Sequence, residues 1–386
     1  LLVVWYHLWL VSGQSVVALN FIAQAGYLGV DLFFFISGFC LYYPYARAKF
    51  ERRPEPRIGH FFERRAMKII PSYAIALIVF AIVYHAQFAS PQDAFWQLAA
   101  HLTFLHPLSA STFGSISGPL WTIGIEVQFY VLFPLIVVGF SRAPIVGYVV
   151  MAFVAEAYRW TIGSLGLGTS FWSINQLPAV IDLFGAGMLG AYAFVTLRAR
   201  AQSVEPSRAT IISLMAFLCA VAGLGLVSVT SSNPDPDVAH SWFNAHRVLV
   251  GPLCFVLALS TFFAWPAWRS IVAARALVFL STISYNLYLW HLEIIVWVHN
   301  LGLSPAWTFA ISLPCAVGVA MLFTHFVERP LLNCDVHAGA RAHPGSVCAT
   351  RSTASIAAET DRPQPVRRKR ACAARSRRAR SADCRR

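Results

Sequence analysis

The chain has 386 residues, 57% of them hydrophobic and 12% charged, with a mean hydropathy of +0.59 and a formal net charge of +13. So little polar surface excludes a soluble globule. It calls for an all-α fold, a polytopic integral membrane bundle in which each helix satisfies its own backbone polar groups.

Apolar runs of about 17 to 25 residues mark bilayer crossings. Ten are expected, near residues 1–16, 26–45, 66–86, 120–140, 143–160, 177–197, 209–230, 248–268, 277–299 and 305–327. The first opens at Leu1 with no methionine and is apolar from the start. With no basic stretch or small-residue cleavage site, it reads as a truncated span and not as a secretory signal.

After the second run come Arg47, Lys49, Arg52, Arg53, Arg57, Arg64, Arg65 and Lys68. Arg142 follows the fourth, Arg198, Arg200 and Arg208 the sixth, and Arg269 and Arg275 the eighth. The intervening connections near 87–119, 161–176, 231–246 and 300–304 carry no Lys or Arg. Because such cations collect on the cytoplasmic side, a multi-pass protein of the cell (inner) membrane with both termini cytoplasmic is expected. The longest outer connection, Ser90 to Leu120, reads either as an acceptor-facing element or as a plain solvated loop.

Past Pro330 the composition changes, and residues 331–386 are expected to form a disordered Arg-rich cytoplasmic tail. From Arg341 to Arg386 thirteen Lys or Arg face Glu359, Asp361 and Asp383, which suits attraction to anionic headgroups. No aromatic side chain interleaves with these arginines, so no nucleic acid is expected as a partner. The eight cysteines form no C-x-x-C or Cys/His spacing, and neither a disulfide nor a metal site is expected.

Four ionisable side chains, His7, Asp31, Glu126 and His291, fall inside the apolar runs. Such groups are expensive at membrane depth and mark functional sites. Counted along the helices from their outer ends, all four lie about 8 to 12 Å down, in one layer. Asp182 in the sixth run can join them. Thr122, Glu126 and Tyr130 recur at i, i+4 and i+8, and Ser284, Tyr288 and His291 at i, i+4 and i+7, so each set shares a helix face.

These side chains either satisfy one another between helices or do chemistry. An imidazole beside a carboxylate suits acyl transfer, the imidazole taking a hydroxyl proton and the carboxylate fixing its tautomer. A histidine carrying the acyl group as nucleophile is the other route, and residue types do not separate the two. The same set also fits a proton-coupled secondary transporter, although no internal repeat accompanies it. A membrane scaffold with a basic tail would leave the polar layer idle.

The runs VVWYH (Val3 to His7), GVDLFFFISGF (Gly29 to Phe39), FFERRAMKIIPSY (Phe61 to Tyr73), LWTIGIEVQFYVLFP (Leu120 to Pro134), SYNLYLWH (Ser284 to His291) and VERP (Val327 to Pro330) resemble the membrane-bound acyltransferase family 3. That family acylates hydroxyls of surface sugars and other acceptors, and its blocks appear here in order over about residues 1–330. The resemblance implies that this part is a transmembrane acyltransferase domain and that His7 is the catalytic histidine. It implies that Arg65 and Lys68 occupy the Arg-x-x-Arg pair that meets the phosphates of acyl-coenzyme A, and that Glu126 is the acidic position of the fourth-span motif. Two departures stand out. The family's arginine ten or eleven residues before the histidine would fall upstream of Leu1, and Lys68 keeps charge but lacks the planar fork of arginine.

The combined reading is a membrane O-acyltransferase moving an acyl group, acetyl foremost, from cytoplasmic acyl-coenzyme A to a hydroxyl of a glycan or lipid-linked sugar. Acyl-coenzyme A is a co-substrate and no cofactor is expected. His7 is the expected base, Asp31 or Glu126 its orienter, and Arg65 and Lys68 the donor clamp. Tyr130, Tyr288 and His291 are expected to contact substrate.

Overall fold

The computed structural model describes residues 1–12, 23–201, 206–233, 235–263 and 274–332. Twelve helices of ten residues or more, and no strand, occur among the described residues. They are α1 (Leu2–Val11), α2 (Leu28–Phe50), α3 (Ile58–Val83), α4 (Pro91–Leu102), α5 (Leu120–Arg142), α6 (Pro144–Ser164), α7 (Leu177–Ala201), α8 (Pro206–Ser231), α9 (Pro236–His246), α10 (Val250–Phe262), α11 (Arg275–His299) and α12 (Pro305–Phe323). The tail expected over 331–386 lies outside the described residues from 333 onward.

Eight segments are long and apolar enough to cross a membrane: Ala25–Phe50, Ile58–Val83, Leu120–Arg142, Pro144–Ser164, Ser173–Arg198, Arg208–Ser231, Pro236–Phe262 and Pro305–Leu332. They correspond to eight of the ten expected runs. The other two are α1, a 10-residue helix, and α11, whose 25 residues reach about 38 Å but carry Asn286, His291 and Glu293 buried along one length. The span expected over 248–268 begins earlier, at Pro236. There Asp235 caps α9 by accepting the backbone N–H of Asp237 at 3.0 Å, with proline at the first helical position. The polar Pro-Asp opening masks this helix start in a hydropathy reading.

The centre of the bundle is the α2–α7 pair, packed backbone to backbone through glycine. A Cβ placed on Gly38 would fall 2.1 Å from the Phe184 carbonyl oxygen, and one on Gly187 would fall 1.9 Å from that of Phe35. Small residues drive such close approach in lipid, where no hydrophobic gain is available. Phe184 then packs against Phe34 at 5.0 Å and stacks on Phe129 of α5 at 3.9 Å, which seats α5 beside the pair. α1 lies along α11, and α11 along α12.

The Ser90 to Leu120 connection is folded. Ser90 caps α4 through the Asp93 N–H at 3.1 Å. His101 and His106 stack at 4.2 Å with their rings 6° from parallel, both fully buried. His101 Nδ1 donates to the Gln97 carbonyl at 2.8 Å and His106 Nε2 to the Leu120 carbonyl at 3.1 Å, tying the segment to the first residue of α5. Burial lowers the pKa of His101, and burial together with the neighbouring His101 pushes His106 down to about 3. Two neutral imidazoles in a dry stack are the consequence.

Candidate active site

Helix spacing places His7 one turn from the end of α1, on the face that meets α11. His7 Nδ1 and His291 Nε2 share a hydrogen bond of 2.8 Å. His291 Nδ1 donates to the Tyr288 carbonyl at 2.6 Å. The Tyr288 hydroxyl accepts from Thr122 at 2.8 Å and donates to the Pro119 carbonyl at 3.4 Å, while its ring stacks on Phe33 at 6.0 Å. Three helices and the start of α5 therefore hold the two imidazoles in place.

His7 lines a cavity of about 570 Å³. Tyr6, Trp9, Tyr27, Trp121, Phe171, Phe243 and Tyr288 give it aromatic walls, and Asn175, Ser232, Asn233 and His240 add polar groups. His291 does not line it. That ring is fully buried behind His7.

Asp31 lines the same cavity but does not bond to His7. Its two carboxylate oxygens accept from Arg247, Nη2 on Oδ1 and Nε on Oδ2 at 3.3 Å. The remaining fork of Arg247 donates to the Ile174 carbonyl at 2.7 Å and to Asn175 Oδ1 at 3.1 Å. A second buried fork joins Arg159 to both oxygens of Asp182 at 2.7 Å and to Glu156 at 2.6 Å, so Asp182 is also separate from His7. The Arg247 pair is bidentate, whereas in the other Nη2 of Arg159 alone reaches both Asp182 oxygens; each buried charge thus has a counter-charge in contact, the condition under which it is tolerated.

Neither Arg159 nor Arg247 figures among the residues selected from the sequence. Each is an arginine within a stretch otherwise apolar enough to span. An acid at membrane depth needs a counter-charge, and that requirement applied to Asp31 and Asp182 is the signal that could have found both.

Glu126 sits deeper than His7. It accepts from Ser37 Oγ at 2.7 Å and from the Tyr130 hydroxyl, and Ser37 is six residues, about 9 Å, further along α2 than Asp31. The single layer expected from the sequence is thus two layers. The Arg65 guanidinium lies 5.3 Å over the Tyr130 ring, a cation–π contact. Lys68 Nζ is 3.4 Å from Glu328 Oε1, and Glu328 Oε2 accepts from Asn286 Nδ2 at 3.1 Å. Glu328 ends a π-helical turn, Thr324–Glu328, whose Thr324 hydroxyl also accepts from Asn286 at 2.9 Å. Of the expected site residues the structure joins His7 to His291, and Glu126 to Tyr130 and, through that ring, to Arg65. Asp31 and Lys68 have other partners, and Ser284 turns back to the Ser281 carbonyl.

Residues 1–325 match the acyltransferase domain family. Among curated proteins the chain is similar to a provisionally named O-acetyltransferase of Staphylococcus aureus strain COL, SACOL0978, at 22% identity over 340 residues, covering 79% of this chain and 52% of that protein. It is similar to the O-acetyltransferase OatA of Staphylococcus aureus strain NCTC 8325 at 22% identity over 335 residues, covering 80% of this chain and 53% of OatA. The chain thus spans about half the length of these relatives. No solved structure matches it significantly.

Proposed function

The chain belongs to the acyltransferase domain family, and we propose that it is a multi-pass membrane O-acyltransferase moving an acyl group from acyl-coenzyme A to a hydroxyl of a glycan or lipid-linked sugar. One observation carries the reading. The imidazole of His7 opens on an aromatic-walled cavity large enough for a sugar unit, while its far side is held by a buried partner. Aromatic faces with interspersed amide and hydroxyl groups suit the alternating C–H and O–H surfaces of a sugar. The family membership favours this over the transporter reading of the same side chains.

In the proposed reaction His7 takes the proton of the acceptor hydroxyl as that oxygen attacks the thioester carbonyl. The C–O bond forms, the C–S bond breaks, and the proton passes from His7 to the leaving sulfur. Arg65 and Lys68 suit the donor's phosphates, Arg65 with a guanidinium free of any ion pair among the described residues and Lys68 through exchange of its contact with Glu328 for a phosphate. The run of basic connections supports a cytoplasmic position for these cations and an outer one for the cavity. Donor and acceptor then arrive from opposite faces, and the pantetheine arm spans the distance between the two layers.

The test is acyl transfer from radiolabelled acetyl-coenzyme A to a glycan acceptor by the purified full-length protein. Wild type is expected to transfer, and His7→Ala to lose about 10² to 10⁴ in rate with yield and melting temperature near wild type. Unchanged transfer in His7→Ala removes this mechanism, and no transfer or hydrolysis by wild type with any acyl donor removes the enzyme reading.

A further inference from the structure

We infer that His291 is a positioning residue that fixes the tautomer of His7, so that Nε2 of His7 is the nitrogen that receives the acceptor's proton. The inference rests on the acyl-transfer reading above and deepens it. It follows from which atoms can carry hydrogen. A carbonyl oxygen has lone pairs only, so His291 Nδ1, at 2.6 Å from the Tyr288 carbonyl, must bear a proton. His291 is fully buried and contacts no carboxylate among the described residues, so a second proton would place an uncompensated charge in a dry interior. Its Nε2 is therefore a lone pair.

The 2.8 Å contact to His7 then has one assignment, with His7 Nδ1–H donating to His291 Nε2. A neutral His7 protonated at Nδ1 has its free lone pair at Nε2. His7 lines the cavity, and its Nε2 has no hydrogen-bond partner among the described residues. The Tyr288 carbonyl, through two imidazoles, thus sets which nitrogen of His7 is basic. In serine-protease triads a carboxylate does this work. Here the neighbouring imidazole does it, while the nearest acid in the cavity wall, Asp31, is occupied by Arg247.

When Nε2 takes the hydroxyl proton, the Nδ1–H bond becomes charge-assisted and strengthens against the His291 lone pair. The proton then leaves from Nε2 to sulfur, and His291 is unchanged over the cycle. Because His291 is walled off behind His7, it touches neither substrate, and its loss should appear in kcat with KM for both substrates little changed.

Two His291 variants and one spectrum test this. His291→Phe fills the volume without an acceptor, and its kcat is expected to fall about 10²-fold or more. His291→Gln offers a side-chain carbonyl to Nδ1–H and is expected to recover at least about tenfold of that loss, a rescue that a packing role alone would not produce. In the ¹⁵N spectrum of histidine-labelled protein, with the His7 signals assigned by their absence in His7→Gln, wild type is expected to show Nδ1 protonated and Nε2 bare. That spectrum needs no turnover, so it judges the tautomer even if His291→Phe fails to fold. A His7 ring protonated at Nε2, equal kcat in the Phe and Gln variants, or a loss confined to KM would each overturn the assignment. Full transfer by His7→Ala would instead sink the acyl-transfer reading and leave the spectrum to stand or fall separately.

Discussion

The two carboxylates that face the inner bundle from α2 and α5 are held in opposite ways. Asp31 is gripped by both arms of a guanidinium whose other donors are also used. Glu126, about 9 Å deeper, has only the hydroxyls of Ser37 and Tyr130, with the nearest cation set over the Tyr130 ring. Hydroxyls can donate to a carboxylate and accept from a carboxylic acid, whereas a guanidinium fork accommodates only the charged form. Asp31 is thus a fixed tie between α2 and the Arg247–Leu249 turn, whereas Glu126 is held by hydroxyls alone.

The largest effect should come from breaking the outer tie. Arg247→Met leaves Asp31 buried without its counter-charge and is expected to cost about 3 to 5 kcal/mol, read as a lower melting temperature in detergent. Adding Asp31→Leu removes the orphaned charge and should recover most of that loss. If the double variant is no more stable than the single one, the pair is not the tie described here.

Neutralising Arg65 and Lys68 tests the other side of the contrast. Arg65→Gln with Lys68→Gln should raise KM for the acyl donor about tenfold or more and leave KM for the acceptor little changed, because phosphate contacts are shared by ground and transition states. A matched rise in both constants would show that these side chains only brace the helix. The same substitution leaves Glu328, whose side chain is only 6% exposed, without its cation, so the melting temperature should fall as well and the split between the two KM values is the readout that reports on the donor.

Much of this was legible in the sequence. Hydropathy located eight of the ten runs as spans, and the helical spacing put Tyr288 and His291 on one face, from which His291 meets His7. Depth was less legible. Counting from the start of each apolar run placed Glu126 level with His7, yet α5 begins beneath the folded Ser90 to Leu120 segment, where Pro119 and Thr122 meet Tyr288. A buried cap of that kind leaves no hydropathy signal. Arg159 and Arg247 went unread for a related reason, since a lone arginine inside an apolar stretch is informative only once the acid it must meet is considered.

The buried histidine stack of the Ser90 to Leu120 segment gives a pH dependence with a definite sign. His106 is held at about 3 against an ordinary 6.5, and His101 is lowered as well. Below about 6.5 the unfolded chain binds protons that the folded segment refuses, so stability is complete above that pH and falls on acidification toward about 3. For His106 the slope is about 1.4 kcal/mol per pH unit across that interval, and His101 adds to it in the same direction. Limited proteolysis between pH 7.5 and 5 should show the segment opening on the acid side. His101→Asn with His106→Asn should flatten that trend, and an equal trend in the variant would assign it elsewhere.

The smallest effect belongs to Glu126, and it completes the contrast with Asp31. In Glu126→Gln the amide oxygen can still accept from Ser37 and Tyr130, so both hydrogen bonds survive the loss of charge, and stability is expected to change by less than about 1 kcal/mol. Asp31→Asn has no such tolerance, because the amide leaves the Arg247 charge uncompensated, and it should cost several times more. Glu126→Ala separates the hydrogen bonds from the charge. It strands two buried hydroxyls and should cost about 1 to 3 kcal/mol. Melting temperatures of the three variants, compared in one detergent, are expected to rank Glu126→Gln above Glu126→Ala above Asp31→Asn. Should Glu126→Gln prove as damaging as Asp31→Asn, the inner carboxylate is being held by a charge, and Arg65 would have to reach past the Tyr130 ring to supply it.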